Sequence, residues 1–368
     1  MSQTKLKPIR QIAFIFLLFT QIIFAQNKVK KYLYVAEPGI RNYLEYGGHG
    51  ILVYDIENNY KLVKRIPTGS LDDKGHPSNV KGICVSLATQ CVYVSTIKSL
   101  MCINLQTEKL VWEKVYEKGC DRMAISPDGL TIFQPSFEND CWYIVDARTG
   151  EVNYRLFPKS KAHNTIYARN GKAVYMEGLA SPYLTVVNPK DTSKQVKIGP
   201  FSAPIRPFTI NGKQSLVFAN VNELLGFEIG DLKTGKMIHR VVVQGFEKGI
   251  IKRHGCPSHG IGLTPNEKEL WVTDGANQQM HVFDATQMPP KQMTSIALRD
   301  QPGWITFSLD GRYAFPSTGE IIDVATKKII KSLADEKGDI VQSEKVVEIH
   351  FKKGKAVKKG DQFGLGMK

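Results

Sequence analysis

Pro257-Ser-His-Gly-Ile-Gly-Leu-Thr-Pro-Asn-Glu-Lys-Glu-Leu-Trp-Val-Thr-Asp274 holds the unit from which this chain is built. A polar cluster carrying a histidine leads into a short apolar strand. A turn follows, then a second β-rich run. The same order recurs from Gly75-His76-Pro77, Gly119-Cys120-Asp121-Arg122, Ala162-His163-Asn164, Ala203-Pro204-Ile205-Arg206 and Gln301-Pro302-Gly303-Trp304. The copies are spaced by roughly forty to fifty residues, the period of a β-propeller blade.

The runs between these heads have strand chemistry. Cys91-Val-Tyr-Val-Ser95, Leu216-Val-Phe-Ala219 and Met280-His-Val-Phe-Asp284 are short and rich in β-branched and aromatic residues. Pro127-Asp-Gly129, Asn170-Gly171, Asn211-Gly212 and Asp310-Gly311 separate them with turn residues. Asp146 to Gly150 and Asp231 to Gly235 mark hairpins into an outermost strand, and no long amphipathic helix is evident. Six complete copies leave a ring open, but the chain ends supply a seventh. Residues 31–66 hold three strands without an innermost one, and Val346-Val-Glu-Ile-His-Phe351 is a spare strand. The expected fold is therefore all-β: a seven-bladed β-propeller whose first blade is closed by a C-terminal strand, leaving no exposed sheet edge.

Lys5, Lys7 and Arg10 precede an apolar stretch, Ile12 to Phe24, that is short for a membrane span, and Phe24-Ala25-Gln26 offers a cleavage site. Residues 1–25 read as a signal peptide and 26–368 as the propeller, secreted or periplasmic and free of the membrane once cleaved; an uncleaved anchor is the alternative. The net charge is +14, or +11 without those three basic residues. Export argues against nucleic acid, so the charge favours an acidic ligand such as a uronate-bearing or sulfated glycan. The six cysteines (Cys84, Cys91, Cys102, Cys120, Cys141 and Cys256) show no C-x-x-C spacing, which supports neither a zinc ribbon nor a redox motif. A monomer is expected.

Ile125-Ser-Pro-Asp-Gly129, Leu263 to Val272 and Phe307-Ser-Leu-Asp-Gly-Arg-Tyr313 resemble the YVTN-type propeller repeat, and the resemblance spans nearly the whole mature chain. It implies the fold and leaves function to the site.

In a propeller the innermost strands begin on the face that carries the loops between second and third strands, so the heads converge on one mouth of the channel. His76, His163 and His259 stand at heads, His254 lies just upstream, and His49 falls in the first-blade loop of the same face. Arg122, Arg206 and Trp304 join them, as do Arg41, Tyr43 and Tyr46 from that loop. Arginine pairs with carboxylate or sulfate, and aromatic rings stack on sugars. His76, His163, His259 and Tyr46 are the candidate acids and bases; Arg41, Tyr43, His49, Arg122, Arg206, His254 and Trp304 are the candidate substrate-binding residues. His239, His281 and His350 fall in strands and read as structural.

Three readings follow. One is β-elimination at a uronic acid, with a base at C5, an acid at the leaving oxygen of C4 and a cation on the carboxylate; it needs no cofactor. If the leaving oxygen carries sugar the enzyme is an endolytic lyase, and if it is a free hydroxyl it is a dehydratase. The second holds a divalent metal on three histidines. Carboxylates near the heads are few (Asp121, Glu177, Asp274, Asp300), which weakens hydrolytic chemistry and a two-carboxylate glycosidase. The third is a non-catalytic ligand-binding or scaffold propeller. An exported propeller with His, Tyr and Arg at one mouth resembles the carbohydrate-active propellers of marine and gut Bacteroidetes, the ulvan lyases and ulvan oligosaccharide dehydratases. That resemblance implies a carbon–oxygen lyase acting on a sulfated, uronate-containing oligosaccharide, with dehydratase favoured over endolytic lyase.

Overall fold

A computed structural model describes residues 29–368, so the expected signal peptide, residues 1–25, lies outside the described residues. Seven antiparallel sheets follow one another around a ring. The second blade shows the common plan. Val80–Ser86 is innermost, then Cys91–Thr96, Ser99–Asn104 and the outermost Leu110–Val115. The first three strands are mostly buried, while the outermost has no buried residue. The innermost strands of blades 3 to 7 are Ala124–Ile125, Ala162–Tyr167, Ile205–Ile210, Ile261–Leu263 and Ile305–Phe307.

The hairpins into the outer strands use local polar chemistry. Asp231 Oδ1 accepts from the backbone N–H groups of Lys233 (2.7 Å) and Thr234 (2.9 Å), and Gly235 then turns the chain at φ 73°, where a Cβ would be strained. Among the described residues the only helices are two single 3₁₀ turns, Leu44–Tyr46 and Ile56–Asn58. Among the described residues no helix is long and apolar enough to cross a membrane.

Blade 1 is built from both ends of the chain. Val346–Lys352 pairs antiparallel with Lys30–Glu37, setting Tyr32 against Ile349 and Tyr34 against Val347. Gly50–Asp55 and Lys61–Ile66 complete the blade outward. A strand the sequence reading did not anticipate, Lys355–Lys359, adds to the inner side of Val346–Lys352, making this sheet five-stranded. The buried apolar side chains divide into clusters at the blade boundaries. Leu33, Leu52, Tyr54, Phe315, Ile321 and Val346 seal blade 7 to blade 1, and Ile51, Val53, Ile83, Val92, Val347 and Ile349 seal blade 1 to blade 2. The closing boundaries are thus packed like the others.

Past Lys359 the chain turns into the channel and fills it from the face opposite the heads. Gln362 Oε1 accepts from Ile83 N (3.0 Å) and its Nε2 donates to Met123 O (2.9 Å). Gly364 O accepts from Thr209 Oγ1 (2.8 Å) and Leu263 N (2.9 Å). Phe363 and Leu365 are buried with Trp304, Phe208 and Ile210. The tail therefore joins the innermost strands of several blades and stops the channel below Trp304.

Candidate active site

A cavity of about 340 Å³ opens at the face where the innermost strands begin. Its wall holds six cationic side chains (Arg41, Lys81, Arg122, Arg206, Arg253 and Lys345) against three carboxylates, Asp121, Glu138 and Glu344. The excess is positive, so the site favours an anion. His163, His254, His259 and Trp304 complete the chemically active lining.

Asp121 and Arg122 come from the head of blade 3, and His163 from the start of the innermost strand of blade 4. A bridge between Arg122 and Asn164 ties these heads together. Asp121 is fully buried and its Oδ2 lies 2.7 Å from His163 Nδ1, while Oδ1 faces Lys81 Nζ at 3.3 Å and accepts from Arg122 N at 2.9 Å. Burial alone would push the Asp121 carboxyl up; the neighbouring His163, Lys81 and Arg122 outweigh it and hold the pKa below its ordinary value. The carboxylate is therefore ionised, and it fixes the imidazole with Nδ1 toward Asp121 and Nε2 available to the cavity.

The seventh head lies just before the closing strand, at Ser343-Glu344-Lys345. Glu344 Oε2 accepts from Arg122 Nη2 (2.9 Å) and Lys345 Nζ (2.8 Å), and Oε1 lies 3.3 Å from His254 Nδ1 and 3.9 Å from His259 Nδ1. Burial opposes ionisation of Glu344, but Lys345, His254 and His259 hold its pKa well below the ordinary range. Burial, together with His254, drives the His259 pKa well down, leaving a neutral imidazole. The two rings stack at 4.9 Å. Gly303 makes this possible, since a Cβ there would sit 2.1 Å from the His254 ring.

The cations differ in what they already hold. Arg122 is spent on Glu344, and Arg253 pairs with Asp300 at 2.7 Å. Arg206 bonds only neutral acceptors, Asn222 Oδ1 (2.7 Å) and Gly255 O (3.1 Å), and Arg41 reaches only Arg253 O (2.8 Å). Among the described residues neither of these wall arginines has a carboxylate within 4 Å, although the Arg206 charge is felt by the buried Glu177.

Comparison with solved structures finds the same ring in two enzymes. Dihydro-heme d1 dehydrogenase NirN in complex with DHE matches with TM-score 0.60 at 13% identity, over 89% of this chain and 72% of that one. Kuenenia stuttgartiensis hydrazine synthase matches with TM-score 0.58 at 14% identity, over 77% and 86%. No family model and no curated protein matches the chain. At such identities the likeness shows the seven-bladed propeller and nothing of the chemistry.

The cavity brings together Arg41, Arg122, His163, Arg206, His254, His259 and Trp304 from the expected set. It leaves out four. His76 has a side chain 70% exposed and pairs with Asp72, because residues 71–77 form a separate turn ahead of the blade 2 strand. His49 is half-buried against Thr68 Oγ1 (3.0 Å) and Gly69 O (3.3 Å). Tyr46 accepts from Arg253 Nη2 at 2.7 Å and stands behind that arginine, with Tyr43 against its edge. Trp304 lines the cavity but is no open sugar platform. It is 4% exposed, the Arg122 guanidinium covers its face at 3.3 Å, and Phe363 packs on it from below. It is the floor. Arg122 likewise braces Glu344 rather than standing free.

Residue reasoning missed Lys81, Arg253, Glu344 and Lys345. Glu344 and Lys345 carried a usable signal: they head the strand assigned to close blade 1, so the argument applied to six heads extends to a seventh. Asp121 was among the few carboxylates expected near the heads but was given no role; Asp121 and Glu344 organise the site. His281 is buried between Asp274 Oδ2 (3.2 Å) and Ser295 Oγ (2.8 Å), away from the cavity.

Proposed function

We propose that this protein is a carbon–oxygen lyase that removes water from the terminal uronate of an acidic, sulfated oligosaccharide of the ulvan type. The observation that carries the reading is the Asp121–His163 pair, 2.7 Å apart, facing a cation-lined cavity. Elimination from a uronate needs a base at the C5 proton and a positive partner for the carboxylate, whose charge grows as that proton leaves. His163 Nε2 takes that proton. The C–H electrons form the C4–C5 double bond as the C4–O bond breaks. Lys81, beside the pair, gives a proton to the departing oxygen, which leaves as water when it is a free hydroxyl. Arg206 and Arg41 hold the carboxylate or a sulfate.

The floor made by Trp304 and the C-terminal tail favours the dehydratase over an endolytic lyase, because a blind pit accepts a chain end whereas a polymer needs an open cleft. At about 340 Å³ the cavity is at the small end of ligand sites and suits a charged sugar ring rather than a tetrapyrrole of the kind named for the NirN structure. In this reading the protein works after export, as a monomer, without nucleic acid.

The test is incubation with oligosaccharides carrying a terminal uronate, followed by ultraviolet absorbance of the unsaturated product and its mass. Loss of one water from an intact oligosaccharide supports the dehydratase, and a split into two supports the endolytic lyase. Tight binding with no product means a ligand-binding propeller, and unchanged turnover in His163→Ala removes the proposed base.

A further inference from the structure

We infer that His254, His259 and Glu344 form a divalent-cation site, and that the ion it takes is Zn²⁺ or a metal of similar preference. The inference stands apart from the elimination reading, since its test needs no substrate.

The three residues come from places far apart in sequence: a long loop after blade 5, the head of blade 6, and the head of blade 1. Each offers one donor atom, and these atoms lie within 4.8 Å of one another. Ligands at about 2.1 Å from a tetrahedral Zn²⁺ are about 3.4 Å apart, so the widest pair closes by up to about 1.4 Å to complete the set. The side chains are 7%, 12% and 9% exposed, which keeps competing water away.

Two further observations point to a missing partner. Nε2 of His254 is buried with no hydrogen-bond partner, a condition that native structures avoid. His259 Nδ1 sits 3.1 Å from Gly303 O, the arrangement by which metal-binding histidines fix the tautomer that leaves Nε2 free. Arg122 and Lys345 both bind Oε2 of Glu344, so they orient the carboxylate while Oε1 faces His254 Nδ1 at 3.3 Å, the contact that a metal ion would replace.

Two imidazoles and one carboxylate with an open position select Zn²⁺ over Mg²⁺ and Ca²⁺, which prefer all-oxygen sets. The open position would face the cavity and take an anionic oxygen. The two flanking cations weaken the site, so the affinity expected is micromolar rather than that of a structural zinc.

The experiment uses the full mature protein, stripped with a chelator and dialysed. Titration calorimetry with Zn²⁺ should give one equivalent bound with Kd below about 10 µM, and Zn²⁺ at about a hundredfold excess over Kd should raise Tm by several degrees, with Mg²⁺ without effect. Co²⁺ should give the visible absorption of a nitrogen–oxygen site. His254→Ala, which removes a group that holds no buried partner on Nε2, should weaken Zn²⁺ at least about a hundredfold, as should His259→Ala, while His76→Ala should match wild type. No binding and no Co²⁺ spectrum in the wild type overturn the inference without recourse to any variant. Equal Zn²⁺ affinity in His254→Ala and wild type also overturns it, by placing the ion elsewhere.

Discussion

Truncating Ile349 tests the closure of the ring. This residue is fully buried, sits opposite Tyr32 in the ladder between Val346–Lys352 and Lys30–Glu37, and packs with Val53, Ile83 and Val92 at the boundary of blades 1 and 2. Ile349→Ala removes three carbons from a site walled by two sheets, where relaxation is limited. The expected loss is about 3 kcal/mol within a usual range of roughly 2–5. Ile83→Ala is the internal reference: it is equally buried, in the same cluster, and on an innermost strand whose sheet partner, Cys91–Thr96, is local in sequence. If the C-terminal strand is part of one cooperative ring, the two variants lose equal stability within about 1 kcal/mol and unfold with unchanged m values. Urea unfolding followed by tryptophan fluorescence and by near-ultraviolet circular dichroism gives both quantities. A loss below about 1 kcal/mol for Ile349→Ala, beside about 3 for Ile83→Ala, refutes the reasoning, because it means the strand is docked loosely and the ring closes without it. Chain termination before Lys345 takes the argument to its limit: it deletes Val346, Val347, Ile349 and Phe351 at about 1.5–3 kcal/mol each, comparable to the total stability of about 5–15 kcal/mol of most domains, so no soluble folded product is expected.

Asp121→Asn keeps the shape of the His163 contact but removes the charge that sets the tautomer and supports the imidazolium; turnover of a uronate oligosaccharide should fall by about 10²–10⁴ with KM little changed. Arg206→Ala should raise KM for a uronate or sulfated substrate at least about tenfold and leave binding of the neutral sugar unaffected, read by calorimetry. Gln362→Ala leaves Ile83 N and Met123 O without their side-chain partners and should cost about 2 kcal/mol in urea unfolding. Glu37 is fully buried and burial raises its pKa well above the ordinary value, so the folded state binds a proton that the unfolded state has released. Its contribution is present below the unfolded pKa and declines as pH rises toward the folded one, so the stability of Glu37→Gln relative to wild type should grow with pH above about 4.3. A relative stability that is flat between pH 4 and 8 contradicts this.

The fold was legible because its signals are local. A turn such as Pro127-Asp-Gly129 and a run such as Glu269-Leu-Trp-Val-Thr273 each name their own geometry, and the repeat period multiplies the signal. Position at a head was legible too: His163, Arg206 and His259 line one cavity because each begins an innermost strand. What each head residue does there was not legible, because it depends on partners brought from other blades. Trp304 looks like a sugar platform until Arg122 is laid across it, and Arg122 looks like a ligand-binding cation until Glu344 is brought from 222 positions away. His76 obeys the spacing rule and still misses the cavity, since the turn closed by the Leu71–Pro77 bridge holds it outside, paired with Asp72.

The overall charge of +14 is a poor guide to what the site binds, because most cations at the mouth are already neutralised. Lys81 faces Asp121, Arg122 and Lys345 share Glu344, and Arg253 holds Asp300. These pairs are buried or half-buried, and exchanging one for a ligand would strand a carboxylate in a poorly solvated place, a cost greater than a new contact returns. Among the described wall cations, Arg206 and Arg41 are the two with no carboxylate within 4 Å, so they take an anion at the least cost. They sit on the blade 5 and blade 1 sides of the pit, with the Asp121–His163 base between blades 3 and 4. In the proposed reading, a ligand held by both arginines is fixed at two points and presents its remaining edge to the imidazole. That reading calls for a molecule with an acidic group and a labile proton a short distance apart on a rigid frame. A uronate ring meets the demand, whereas a flexible acidic peptide or an isolated phosphate meets only half of it.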